Sequence, residues 1–287
     1  MLVAGWFSFE EVIATVGDEL GAAEVCRWLA ALGVEYDVAW APFMQPAHGG
    51  VDWREVDPAG YSTLVFVSGP LSDQHLLRAL TRRFQAARRV AVNVSVVDPA
   101  GCGLFDAVVP RDGRVDPALA AAVDRRPVVA VAFAPFQEEY GERSRASEVR
   151  AAIEAWLADR ALPWFEVDMD LYDMNHVRRP AQPVSLISRA DVVVSMRLHA
   201  LVLGLAGGTP VIACDAIVGG AKVTAQAEAL GWPLVLTADQ VSADRLDDML
   251  AKALADESAQ AVSRCVDAGL RSLDGVRVDT LAALELG

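Results

Sequence analysis

Short Val-rich runs recur along this chain, and between them lie longer segments rich in Ala, Leu, Arg and Glu. Brief apolar runs bounded by turn residues read as strands buried on both faces. The segments between them carry helical patterning. A chain that alternates in this way folds as parallel sheets with helices on both faces, an α/β architecture.

The alternation is interrupted once. Residues 2–9 read as a first strand, and Gly17-Asp18-Glu19-Leu20 opens a helix running to about Leu32, with Gly33 as its C-cap. Strands are predicted near 35–41, 63–68, 90–97 and 106–109, with a helix over 73–87. Asp124-Arg125-Arg126-Pro127 then forms a charged stretch closed by proline, and Val128–Ala134 restarts the rhythm. This places a domain boundary between residues 124 and 125, and a chain of 287 residues has room for two domains. The second half reads as strand 128–134, helix 145–161, strand 164–169, helix 183–190 and strand 191–196. It continues with helix 199–206, strand 210–214, helix 221–230, strand 233–237, helix 242–255 and a mostly helical remainder over 257–286.

Composition narrows the function. Lys and Arg number 25 against 39 Asp and Glu, a formal charge of −14, which argues against general nucleic-acid binding and against an acidic membrane surface. An anionic small molecule would need a locally basic site, so Arg and Lys near Gly-rich turns become informative. No uninterrupted apolar run approaches the ~18 residues of a spanning helix. Cys26, Cys102, Cys214 and Cys265 are widely spaced, with no CxxC pair, so the expectation is buried reduced thiols rather than a zinc cage. Met1–Phe7 shows no basic leader, and the expected location is the cytoplasm.

Two doubly wound domains facing each other would form a cleft at the carboxyl ends of their strands, where helix N-termini and loop amides converge. The most informative stretch is Ala190-Asp191-Val192-Val193-Val194-Ser195-Met196-Arg197-Leu198-His199-Ala200, followed by Gly207-Gly208-Thr209-Pro210. A strand ends at Arg197 and a helix begins near His199. Arg at such an edge can hold a carboxylate or phosphate through paired hydrogen bonds. His beside it can donate a proton to a reacting group. Alone, either residue would more often be structural; together at a strand-to-helix junction they favour function.

These residues resemble the polysaccharide pyruvyltransferases. Arg197-Leu198-His199-Ala200, Gly208-Thr209-Pro210 and Lys222 are similar to that family's Arg-Leu-His-Ala, Gly-x-Pro and following Lys, and Leu186–Asp191 fits before the strand. Gly5, Gly17-Asp18-Glu19 and Arg111-Asp112 are weaker matches. Trp6–Val16 replaces the family's short turn, and Asp215-Ala216-Ile217 stands where a Tyr is common. The resemblance implies two Rossmann-like domains in a GT-B-like arrangement, with the acceptor side in 1–124 and the donor side in 125–287. It implies transfer of a pyruvyl group from phosphoenolpyruvate to a sugar-type acceptor as a ketal. Arg197, Leu198, Lys222, Arg111 and Gly220 are then donor-binding candidates. His199 is the candidate acid with Arg197 as its catalytic partner, and Gly17, Asp18 and Trp6 are acceptor-binding candidates. The scheme calls for no metal or cofactor, and the sequence leaves self-association open.

Gly219-Gly220-Ala221-Lys222 reads either as a helix-start anion nest or as a plain glycine turn. Asp18 reads either as an acceptor-binding group or as an ordinary N-terminal helix Asp, and Trp6 as a sugar-stacking ring. Trp28, Trp156 and Trp164 read as packing residues. Glu138-Glu139, Arg143 and Arg145 follow the first strand of the second domain and read as a solvated charged loop, with an acceptor role at the cleft edge as the alternative. Asp168, Asp170, Asp173 and His176 lack fixed metal-ligand spacing. The competing readings are a GT-B-type nucleotide-sugar glycosyltransferase or epimerase, with Asp215 or Glu228 gripping a ribose, and a non-catalytic relative that binds an anionic small molecule.

Overall fold

A computed structural model describes residues 1–111, 113, 123–170 and 179–285. The chain divides into two units, Met1–Asp124 and Arg125–Gly287.

The first unit runs β1 (Leu2–Gly5), α1 (Val16–Ala31), β2 (Asp37–Val38), α2 (Gln45–His48), β3 (Thr63–Val67), β4 (Pro70–Leu71) and α3 (His75–Arg83). It continues with β5 (Arg88–Val96), α4 (Pro99–Cys102) and β6 (Ala107–Pro110). Its strands pair in parallel in the order β2-β1-β3-β5-β4, with β6 also on β5. Leu2, Leu64, Phe66, Leu77, Leu80 and Phe84 are fully buried in its core.

Three elements here are shorter than the sequence predicts. The first strand stops at Gly5 because the Ser8 hydroxyl accepts the Gly5 N–H and donates to the Ala39 carbonyl, which bends Trp6–Ser8 into a 3-10 turn. The strand expected over 35–41 narrows to β2. Beyond it, Trp40 donates its backbone N–H to Val51 and Ala41 donates to Phe7, so the chain leaves the ladder. The helix expected over 73–87 is α3, and Asp73 lies just before it, bonded to Arg78.

The second unit runs β7 (Val129–Ala132), α5 (Ala146–Asp159), β8 (Trp164–Glu166), α6 (Ala181–Ile187), β9 (Val192–Ser195) and α7 (Leu198–Ala206). Then follow β10 (Val211–Asp215), α8 (Lys222–Leu230), β11 (Val235–Thr237), α9 (Ala243–Ala253) and α10 (Glu257–Ala283). The parallel strand order is β11-β10-β9-β7-β8. Every residue of β7, β9 and β10 is buried, as expected of strands covered by helices on both faces. Gly204 lets α7 lie close on β10: a Cβ there would stand 2.5 Å from the Val211 side chain. The chain goes from β7 outward to β8, then returns to β9 on the other side of β7. The winding therefore reverses between β7 and β9, and a crevice opens at their carboxyl ends.

Trp156 is buried, Trp164 is 39% exposed but packs edge-on against Phe133, and Trp28 is 44% exposed. Cys214 and Cys265 are buried and Cys26 and Cys102 half-buried; all four are free thiols. Complete burial pushes the Cys214 thiol up to about 12, which keeps it protonated and inert. None of the described helices is long and apolar enough to cross a membrane.

Candidate active site

A cavity of about 200 Å³ lies at the carboxyl edge of the second sheet. The segments that follow four of the five strands at this edge contribute to it. Gln137 follows β7, Met169 and Asp170 follow β8, Met196, Arg197, Leu198 and His199 follow β9, and Lys222 follows β10. The cavity thus sits at the reversal of winding, where sheet geometry leaves room for a ligand.

Ser195 sets the position of Arg197. This fully buried last residue of β9 donates its hydroxyl to the Arg197 carbonyl at 2.7 Å and accepts the Arg197 N–H at 3.0 Å. The clamp turns the chain from strand to helix and makes Arg197 the N-cap of α7. Leu198 and His199 then form the first turn of α7. The Arg197 side chain does not cap this helix, so the first N–H groups of α7 and the positive end of its dipole lie at the same edge as the guanidinium. Arg197 is mostly buried, at 17% side-chain exposure, and ion-pairs with Asp170. His199 is exposed on the cavity wall.

Lys222 is delivered by a different device. The Asp215 carboxylate, 2% exposed, accepts hydrogen bonds from the Ala221 N–H at 2.7 Å, the Thr224 N–H at 2.9 Å and the Thr224 hydroxyl at 3.0 Å. It therefore caps α8 from the end of β10. Gly220, at φ +81°, closes the approach, and a Cβ there would stand 2.7 Å from Thr224 Oγ1. Arg143 holds the same turn from outside: its Nη2 donates to the carbonyls of Val218 and Gly220, each at 3.0 Å. Glu138, Glu139, Arg143 and Arg145 are exposed, as a solvated charged loop would be, and Arg143 in addition braces the turn, with Ser144 bridging Ile217 beside it. Lys222 Nζ lies 3.8 Å from Glu139.

Several expectations need correction. The Gly219–Lys222 turn offers no vacant anion nest. The Gly220 N–H donates to Ile217, the Ala221 N–H to Asp215 and the Gly219 N–H to Asp239, so the protein's own oxygens fill it. Gly220 shapes the turn, its N–H is bonded to Ile217, and it is not among the residues that line the cavity. Asp215 is sealed by its capping role and has no oxygen to offer a ribose, and Glu228 is exposed on α8 away from the cavity lining.

In the first unit, Trp6 is 4% exposed. Its ring packs on Phe9 and Phe66, and its Nε1 donates to the Pro70 carbonyl. No ring face is left to stack on a sugar. Asp18 is also buried and accepts from the Thr15 N–H and hydroxyl, which closes a capping box on α1. The ordinary helix-start reading of Asp18 holds. Gly17 lies exposed in the first turn of the same helix. Arg111 follows β6, where its N–H donates to Val94 and its Nε to Ser95. Asp112, Asp173 and His176 lie outside the described residues. Among the described residues, no three His, Cys, Asp or Glu side chains cluster as metal ligands.

Sequence reasoning found Arg197, Leu198, His199 and Lys222, which the structure brings to one cavity. It missed Ser195, Asp170 and Gln137 as members of the site and Arg143 as a brace. A Ser two residues before an Arg at a strand end is a legible clamp signal. Asp170 carried no such signal.

The fold and this cavity define an α/β protein with a cationic pocket at a sheet edge. The polysaccharide pyruvyl transferase family model matches residues 116–216, from ahead of β7 through the end of β10. The match supports a transferase of the polysaccharide pyruvyl type. No curated protein matches the chain in sequence. Among solved structures, the glycotransferase of kitacinnamycin is similar at 14% identity, over 89% of this chain and 72% of that one, with a TM-score of 0.33. The glycosyltransferase SnogD from Streptomyces nogalater is similar at 14% identity, over 95% of this chain and 98% of that one, with a TM-score of 0.31. Likenesses this slight carry no conclusion about activity.

Proposed function

We propose that the chain transfers a pyruvyl group from phosphoenolpyruvate to two hydroxyls of a sugar-type acceptor. The observation that carries this reading is the convergence of Arg197, His199 and Lys222 on one cavity, beside the N-terminus of α7. The donor bears a carboxylate and a phosphate. A planar guanidinium suits one of them by paired hydrogen bonds, and an ammonium on a flexible stem suits the other as a point charge. Met169 and Met196 supply apolar wall for the enol methylene.

The chemistry assigns His199 as the general acid. In its protonated form it gives a proton to the methylene carbon of the enol phosphate, and positive charge develops on the neighbouring carbon. One acceptor hydroxyl adds there and loses its proton to the imidazole. The carbon–oxygen bond to phosphate breaks, and Arg197, Lys222 and the α7 amides stabilise the charge that leaves. The second hydroxyl adds, its proton goes to the departing phosphate, and the ketal closes. The products are a pyruvyl ketal and inorganic phosphate.

Phosphoenolpyruvate is expected to raise the melting temperature, whereas a nucleotide sugar alone is not. His199→Ala should retain that shift and lose turnover. Stabilisation by a nucleoside diphosphate with no response to phosphoenolpyruvate would overturn the reading.

A further inference from the structure

Both pocket cations already have carboxylate partners. Arg197 is paired with Asp170, and Lys222 lies 3.8 Å from Glu139. The two pairs differ in a way that matters. Arg197 is mostly withdrawn from water and its partner is not: Asp170 is 57% exposed. Lys222 and Glu139 are both about half exposed. A carboxylate on an exposed side chain can swing back into water at little cost, because water solvates it again. A largely buried guanidinium has no such retreat and needs an anionic partner where it stands.

We propose that Asp170 is a displaceable counter-ion: it occupies on Arg197 the place that an anionic group of the ligand takes, and so sets how tightly the pocket holds both substrate and product. The proposal rests on the reading above only in taking Arg197 as a ligand-binding cation. Binding exchanges one ion pair for another, so affinity is lowered by the strength of the Arg197–Asp170 pair. After turnover the same carboxylate competes with phosphate for the guanidinium and hastens its release. Glu139 acts on Lys222 in the same sense but more weakly, since that pair is longer and wetter.

This role gives a sign opposite to that of the obvious alternative. If Asp170 served to orient Arg197, or itself touched the ligand, its removal would weaken binding. As a competitor, its removal tightens binding. The experiment is calorimetric titration of inorganic phosphate and of phosphoenolpyruvate into the full chain and its Asp170→Asn, Asp170→Ala, Glu139→Gln and Arg197→Ala variants.

Both Asp170 variants are expected to bind both anions about three- to fivefold more tightly, the upper part of the range for one partly exposed ion pair. Glu139→Gln should tighten them by about twofold, and Arg197→Ala should bind neither. Phosphate should also become a stronger product inhibitor of Asp170→Asn. Unchanged or weaker binding in both Asp170 variants would overturn the proposal while leaving pyruvyl transfer standing, provided the unaltered chain binds phosphoenolpyruvate. Tighter phosphate binding with no preference for phosphoenolpyruvate over phosphate would uphold the counter-ion and overturn the transferase reading. Binding of neither anion by any form would overturn both.

Discussion

The two units share one architecture and use the same edge of their sheets in opposite ways. Each is a parallel sheet whose winding reverses beside its first strand, between β1 and β3 in one and β7 and β9 in the other. At the first edge the chain fills its own groups. Trp6 turns into the core and Asp18 caps α1. At the second edge the N-cap residue of α7, Arg197, makes no cap with its side chain, and Arg197 and His199 face a cavity. The contrast lies in the first helical turn after the strand. A helix start that is already capped by its own carboxylate offers no site for another anion. One left bare beside a guanidinium does.

The largest expected effects test that division from both sides. Trp6→Ala should cost about 3–5 kcal/mol of stability, as large aromatic truncations in a core do. Its binding of phosphoenolpyruvate, measured in the fraction that remains folded, should be unchanged. Arg197→Ala should do the reverse, with kcat/KM down by about 100-fold or more and little change in the urea midpoint. Intact stability in the Trp6 variant with weakened acceptor binding would show that the ring is a binding platform after all.

Asp215 tests the second edge from within. Its carboxylate holds three groups of α8 and also accepts the Ile217 N–H at 3.2 Å. Asp215→Ala leaves buried donors unsatisfied and should cost about 1–3 kcal/mol. Because α8 carries Lys222, the same change should also raise KM for phosphoenolpyruvate. Asp18→Ala removes the equivalent cap in the first unit and should cost about 1 kcal/mol with no kinetic change. A kinetic defect in Asp18→Ala at full stability would return that residue to the acceptor site.

Much of this contrast was legible in sequence, and for a physical reason. Val192–Val194 is an unbroken apolar run that reads as a buried strand, so the polar side chains of Arg197 and His199 just after it must lie at the edge. The strand order of the second sheet then brings Lys222 to the same edge, two elements later. What one sequence does not display is the partner of each side chain. Gly17-Asp18 and Arg197-Leu198-His199 both announce a helix start, and only the fold shows that Thr15 closes a capping box with the first. Asp215 and Asp170 are both Asp residues at or beyond a strand end. One is sealed beneath a helix and the other swings over a cavity, a difference set by how each following loop returns to its helix. Arg143 is exposed, as its sequence reads, and only its second role was hidden: its acceptors are carbonyls some 75 residues away, and carbonyls leave no mark in the residue pattern.

The smallest effect concerns a third use of a carboxylate in the second unit, away from the sheet edge. Asp247 on α9 accepts from Arg160 and from the indole N–H of buried Trp156 at 2.8 Å. The Arg160 hydrogen bonds, and after them the Trp156 bond, hold its carboxyl below the usual carboxylate range. A lowered folded-state value means that the ionised group stabilises the fold at pH above the unfolded value, about 3.9. That contribution disappears as pH falls through the lower folded-state value. Because the Asp247–Arg160 pair is largely open to solvent, the contribution should stay under about 1 kcal/mol. Asp247→Asn should therefore lower the urea midpoint slightly at pH 7, and the gap to the unaltered chain should close once the pH is taken below the folded-state value. A gap that persists there would assign the effect to packing around Trp156 instead of to charge.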